Sequence, residues 1–144
     1  MGRSNIRDRT ILFLCRDNSC LSVIAEAIAN KLLPPKTRVF GASLKQAKVD
    51  PKAFQVLREV GIDVPVQDAK GLDAIPTRDI DLIVTLGEAD ETQTPVSPST
   101  KWRTWEISDP SREPEADLNA FRHARDEISN RIGGLFLDYW RNLA

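Results

Sequence analysis

The chain's two cysteines, Cys15 and Cys20, lie five positions apart in the stretch Leu12-Phe-Leu-Cys-Arg-Asp-Asn-Ser-Cys-Leu-Ser-Val23. The stretch reads as a buried strand that breaks into a polar loop and restarts as a helix. A thiol at a strand end, followed by amides that converge on a helix start, gains thiolate character from those N–H groups and from the helix dipole. The same amides cradle an oxyanion. Asn18 suits a left-handed backbone position in such a turn, and Ser19 and Ser22 have hydroxyls to support the loop or the thiolate. The chemistry implied is a cysteine nucleophile beside an anion site.

Positioning such a loop takes a rigid strand before it and a helix after it. Thr10-Ile-Leu-Phe-Leu14 is continuously apolar, as in a central strand covered on both faces. Ile24, Ala27, Ile28 and Leu32 then recur at helical spacing until Pro34-Pro35, which cannot continue a helix. Thr37 to Ala42 reads as a second strand. Asp50-Pro51 reads as a helix start, followed on one face by Ala53, Val56, Leu57 and Val60 and closed by Gly61. Residues 63 to 79 are irregular, with one short helical turn around Leu72. Ile80 to Leu86 and Trp102 to Ile107 read as the third and fourth strands. Leu118, Phe121, Ala124, Ile128, Ile132, Leu135, Tyr139 and Leu143 form the apolar stripe of a long final helix, weakened at Gly133-Gly134. Strands alternating with helices predict an α/β fold, a three-layer sandwich with a four-stranded parallel sheet and helices on both faces. Ligands of such sheets bind outside the carboxyl ends of the strands, which selects Cys15 to Ser22 and the segment after Ile107.

Composition narrows the function. With 144 residues, 41% of them hydrophobic, residues 1–144 fit a single domain with one substantial core. Twenty basic and twenty-one acidic residues give a formal charge of -1, so no global basic field points to nucleic acid and no polybasic run to a membrane surface. No apolar run is long enough to span a bilayer, and the polar start has no signal-peptide core; a soluble cytoplasmic protein is expected. Two cysteines make no disulfide framework. His123 is the only histidine and no metal-ligand spacing is present, so neither a metal nor another cofactor is expected. His123 reads as a surface or helix-packing residue, and Trp102, Trp105 and Trp140 as core or edge packing with the alternative of walling a pocket. Lys101, Arg103 and Arg112 are within sequence reach of the same mouth.

Cys15-Arg-Asp-Asn-Ser-Cys-Leu-Ser22 resembles the phosphate loop of the low-molecular-weight protein tyrosine phosphatases and of the thioredoxin-coupled arsenate reductases that share their fold. In that superfamily the loop usually reads Cys-Thr-Gly-Asn-Ser-Cys-Arg-Ser. The likeness continues through Val49-Asp-Pro51, Val60-Gly-Ile-Asp63, Lys70, Gly87-Glu-Ala-Asp90, Ser108-Asp-Pro110 and Phe121 to Ile128. The resemblance implies that Cys15 is the nucleophile, that residues Arg16, Asp17, Asn18, Ser19, Cys20, Leu21 and Ser22 form the anion loop, and that Asp109 is the general acid. Taken alone, Asp109 is equally well a turn former before Pro110. A phosphate-like oxyanion or a phosphoprotein is the implied partner, and the oligomeric state is left open.

The departures matter as much as the matches. Leu21 stands where the superfamily places its arginine, and losing that residue type from a phosphoryl-transfer site costs roughly 10³ to 10⁵ in rate, or about 4 to 7 kcal/mol. Asp17 replaces a glycine and adds negative charge, while Arg16 is the only loop residue able to restore positive charge. Ser111 and Arg112 stand where phosphatases often carry tyrosines, which tilts the likeness toward the reductases. The reductases' resolving cysteines are missing too, their approximate positions falling at Leu86 and at Gln93 or Thr94. Three functions follow: a weak or lost cysteine-dependent phosphatase, an arsenate reductase using an external thiol, and a non-catalytic anion- or partner-binding or Cys15/Cys20 redox module. In relatives the two loop cysteines can close a disulfide on oxidation; the plainer alternative makes Cys20 an inert buried thiol.

Overall fold

The central strand β1 (Arg9–Cys15) is flanked on one side by β2 (Thr37–Ser43) and on the other by β3 (Leu82–Leu86), and β4 (Lys101–Trp105) closes the sheet beyond β3. Every pairing is parallel, with Cys15 registered against Ser43 and Leu86. The structure, a computed structural model, describes residues 9–16, 20–46, 48–76, 79–87, 99–112 and 117–135. From Ile11 to Cys15, β1 is apolar because neither of its faces meets water there. Ile11 and Phe13 point into one core with β3 residues Leu82 and Val84, and Leu12 and Leu14 into another with Ile83.

The first core is covered by three helices, α1 (Leu21–Leu32), α2 (Pro51–Arg58) and α3 (Leu118–Leu135), which contribute Ile24, Phe54, Phe121 and Ile128 among others. The second is covered by a short 3-10 helix, Leu72–Ala74, with Ile75 and Ile80 and the half-buried Trp102. The three-layer expectation therefore holds, with the α-helices gathered on one face among the described residues and a single helical turn on the other. The strand boundaries move by one or two residues from those expected. Ile80 and Asp81 precede β3 because Asp81 caps the start of β1: its carboxylate accepts from the Thr10 N–H at 2.8 Å and its own N–H donates to the Thr10 carbonyl at 2.9 Å. β4 ends at Trp105, and the chain then turns away from the sheet.

Local chemistry sets the helix ends. Asp50 accepts the Lys52 N–H at 3.0 Å and Pro51 occupies the first helical position. Gly61, at φ 80°, closes the turn after α2. α3 runs through Gly133 and Gly134 without a break. The stripe residues Tyr139 and Leu143, and Trp140, lie outside the described residues.

The open edge of β2 is covered rather than left as a pairing site. Outward-facing N–H groups of Gly41 and Ser43 donate to Glu26 Oε2 at 2.8 Å and to the Lys70 carbonyl at 2.8 Å. Lys70 Nζ also reaches Glu26 Oε2 at 3.1 Å, so one α1 carboxylate joins the strand edge to the segment crossing it.

α2 and α3 are joined through Glu59. Arg122 grips it with Nε at 2.9 Å from Oε1 and Nη2 at 2.6 Å from Oε2, and Arg125 Nη1 reaches Oε1 at 2.8 Å while also donating to the Val56 carbonyl. The Arg122 hydrogen bonds, with help from Arg125, lower the Glu59 carboxyl from its ordinary 4.5 to about 2. A depressed carboxyl stabilises the fold above its unfolded-state pKa, and that contribution disappears as pH falls through the folded-state value. In denaturant titrations, Glu59→Gln is expected to be less stable than wild type by a constant margin above about pH 5. The margin should shrink between 4.5 and about 2. A margin independent of pH across that window would remove Glu59 as its source.

Candidate active site

β1 and β3 are neighbours, yet the chain continues from β1 to β2 on one side of the sheet and from β3 to β4 on the other. That divergence opens a crevice at their carboxyl ends. The crevice is a cavity of about 610 Å³ lined by Arg16 after β1, Leu21 at the start of α1, Leu86 and Gly87 after β3, and Thr104, Glu106, Ile107, Ser108 and Asp109 around the end of β4. Gly87, at φ 79°, turns the chain away from β3 while its N–H donates to the Trp105 carbonyl at 2.9 Å.

Three of the site residues named from sequence, the loop residues Arg16 and Leu21 and the expected general acid Asp109, meet on this wall. Cys15 is fully buried at the last position of β1, its Sγ 3.7 Å from the Ala42 carbonyl oxygen and its own carbonyl accepting the Leu44 N–H at 3.2 Å. Cys20 caps α1 by position, its carbonyl accepting the Ile24 N–H at 3.2 Å, but its side chain makes no capping bond. Ser22 is 0% exposed, and its Oγ has no hydrogen-bond partner among the described residues. Asp17, Asn18 and Ser19 lie outside the described residues, as do Glu88 to Asp90, Gln93 and Thr94.

Leu21 is 1% exposed and belongs to the main core as well as to the cavity wall. At position 21 the chain therefore brings an apolar surface and no side-chain donor to the crevice. Leu86, at the end of β3, adds a second apolar side chain to the same wall.

Asp109 is held from two directions. The thiol of Cys20 donates to its Oδ1 at 3.5 Å, and Ser111 donates to the same oxygen from its backbone N–H at 3.0 Å and its hydroxyl at 2.7 Å. Ser111 was visible in the sequence only as a replaced tyrosine. Its hydroxyl, two residues after an aspartate in an Asp-Pro turn, is the signal that identifies it in retrospect. Thr104 and Glu106 were unforeseen, because their place on the wall depends on where β4 ends, whereas Ser108 falls in the segment after Ile107 that the sequence singled out.

The remaining candidates lie elsewhere. Trp105 turns into the core and packs on Phe13 with ring centroids 5.9 Å apart. Lys101 and Arg103 are exposed on β4 outside the cavity wall, the Arg112 side chain lies outside the described residues, and His123 is exposed on α3. Among the described residues no group of three or more potential ligands is placed to hold a metal, and no helix is long and apolar enough to cross a membrane.

Residues 10–143 match the model of the low molecular weight phosphotyrosine protein phosphatases. The chain belongs to this family. Within it, the chain is 34% identical over 125 residues to arsenate reductase 2 of Staphylococcus epidermidis, covering 86% of this chain and 93% of the relative. It is 34% identical over 131 residues to the arsenate reductase of Bacillus subtilis, covering 88% and 94%. The solved structure of an arsenate reductase in the phosphate binding state superposes with a TM-score of 0.74 at 26% identity, over 90% of this chain and 97% of that one. The family match and these arsenate reductase relatives agree with the likeness carried by Cys15 to Ser22 and Ser108 to Pro110.

Burial pushes the Cys20 thiol well above its ordinary 9.0, and the charge and acceptor oxygen of Asp109 push it further. Cys20 is therefore a neutral donor at physiological pH, with little of the thiolate needed for attack. Timed iodoacetamide labelling read by mass spectrometry should leave Cys20 unmodified in the folded protein up to pH 9. Asp109→Asn should bring the onset of labelling to lower pH. Cys20 labelling at pH 7 comparable to that of the unfolded chain would contradict this.

Proposed function

We propose that this chain is an arsenate-reductase-like member of the phosphatase family whose anion cradle is retained and whose transition-state clamp is lost, so that cysteine-dependent turnover of phosphate monoesters is weak or absent. The observation that carries it is Leu21, an apolar side chain on the cavity wall at the start of α1. The cradle is supported by the start of α1, to which the side chain of its N-cap residue Cys20 gives no capping bond, and by the buried Ser22 hydroxyl beside it.

In this reading Cys15 is the nucleophile. Its sulfur would form a bond to phosphorus as the ester oxygen leaves, with Asp109 supplying the proton to that oxygen. The charge that accumulates on the equatorial oxygens meets loop amides but no guanidinium at position 21. Amides alone leave much of that charge unanswered, which is why the step slows by orders of magnitude rather than by a small factor. Arsenate reduction through the same cysteine would take its second thiol from outside the chain, because position 86 offers leucine in place of sulfur. A Cys15/Cys20 redox pair is less well supported, since Cys20 is held as a neutral thiol against Asp109.

The test is hydrolysis of an aryl phosphate by wild type, Cys15→Ser, Leu21→Arg and the double variant. Wild type should be within a few-fold of Cys15→Ser. Leu21→Arg should gain at least about 10³ in rate, a gain that Cys15→Ser abolishes. Strong Cys15-dependent turnover by wild type, or a folded and inert Leu21→Arg protein, would overturn the proposal.

A further inference from the structure

Asp109 lies on the crevice wall, yet neither of its carboxyl oxygens is offered to the crevice. Oδ1 accepts from the Cys20 thiol at 3.5 Å, the Ser111 N–H at 3.0 Å and the Ser111 hydroxyl at 2.7 Å, and Oδ2 is buried. An oxygen that already takes three donors leaves no lone-pair direction for a proton of its own, so the neutral acid carries its proton on Oδ2, the buried oxygen. Helix capping accounts for one of the three bonds. Asp109 precedes the 3-10 helix Pro110–Arg112, and an acceptor for the N–H two residues on is what the first turn of a helix requires. The Ser111 hydroxyl and the Cys20 thiol exceed that requirement, and the thiol comes from a different element, the N-cap of α1, 89 residues away in the chain. Burial keeps Cys20 in its neutral form, so the S–H that it donates is present at physiological pH.

From this geometry we infer that Cys20 and Ser111 are positioning residues for Asp109, a catch that holds its carboxyl turned away from the crevice until the side chain swings out. The inference rests on the reading of Asp109 as the general acid. In that reading Cys15 Sγ bonds to phosphorus, the P–O bond breaks with its electron pair going to the ester oxygen, and that oxygen takes the proton from Asp109 Oδ2. Each transfer must first release the catch, because the hydrogen bonds to Oδ1 are what the swing breaks. A good leaving group departs without the proton, whereas a poor one waits for it. The catch is therefore a brake felt by esters of poor leaving groups, separate from the missing side-chain donor at position 21.

The catch is read without turnover by coupling glycinamide to the carboxyls of the folded protein with a water-soluble carbodiimide, followed by trypsin and mass spectrometry. Asp109 and the exposed Glu106 fall on one tryptic peptide, Thr104 to Arg112, so Glu106 is the internal reference. In wild type Asp109 should couple more slowly than Glu106. Ser111→Ala and Cys20→Ala should each raise the Asp109-to-Glu106 ratio about fivefold, the scale of one hydrogen bond, whereas Ser111→Thr and Cys20→Ser, which keep a donor, should stay near wild type. In the Leu21→Arg protein, Ser111→Ala should raise kcat/KM for phenyl phosphate about fivefold relative to that for dinitrophenyl phosphate, whose leaving group departs unaided. Wild-type coupling at Asp109 as fast as at Glu106, or a ratio that Ser111→Ala and Cys20→Ala leave unchanged, would overturn the inference. So would a fall in relative phenyl phosphate turnover, because the pair would then aim the acid rather than withhold it. A folded but inert Leu21→Arg protein bears on the functional proposal alone, since the coupling measurement needs no turnover.

Discussion

The seat of α1 on β2 depends on a missing side chain. A Cβ at Gly41 would lie 2.5 Å from the Ser22 carbonyl oxygen and 2.9 Å from the Glu26 Cβ, so the first two turns of α1 approach the strand to a distance only glycine allows. The Gly41 N–H then meets Glu26 Oε2, and Lys70 closes on the same oxygen. With β1 held between β2 and β3, the two residues that frame the loop after β1 are located: Cys15 by strand register and Leu21 by the docked helix.

That arrangement gives Leu21 a place in the packing of the fold that is independent of any part in chemistry. Leu21 sits at the first position of α1 and packs with the main core, so an apolar residue there fills space that the scaffold accommodates. In the crevice, the cation on the described wall is Arg16, while Asp109 is tied to Cys20 and Ser111. Fold and catalysis are separable at this residue because packing asks for volume and the transition state asks for donors.

Much of this was legible in the chain. The unbroken apolar run of β1, the Asp50-Pro51 cap and the Gly61 stop are local signals, and each appears where it was expected. The four parallel strands followed from strand–helix alternation. The gathering of all three described α-helices on one face did not, because periodicity reports that a helix has an apolar stripe and not which face of the sheet receives it. Leu21 was legible as a substitution, but its double role in core and cavity required the helix to be seated. Glu106 and Ser111 were invisible as site residues: one lies on the wall because β4 stops at Trp105, and the other because the turn after Asp109 folds its hydroxyl back onto the carboxylate. Cys20 read as either a redox thiol or an inert one, and its contact with Asp109 gives it a third role as a donor across the crevice.

The central claim is that the scaffold retains an oxyanion cradle from which the clamp has been removed. It is tested most directly by titrating arsenate into the isotopically labelled wild-type protein and following backbone amide resonances by NMR. Saturable shifts concentrated on the amides of Cys20 to Val23, displaced by competing phosphate, are the predicted result. Amides at the start of α1 that stay unmoved while arsenate reaches high millimolar concentration would contradict it, because the loop would then have lost its cradle together with its arginine.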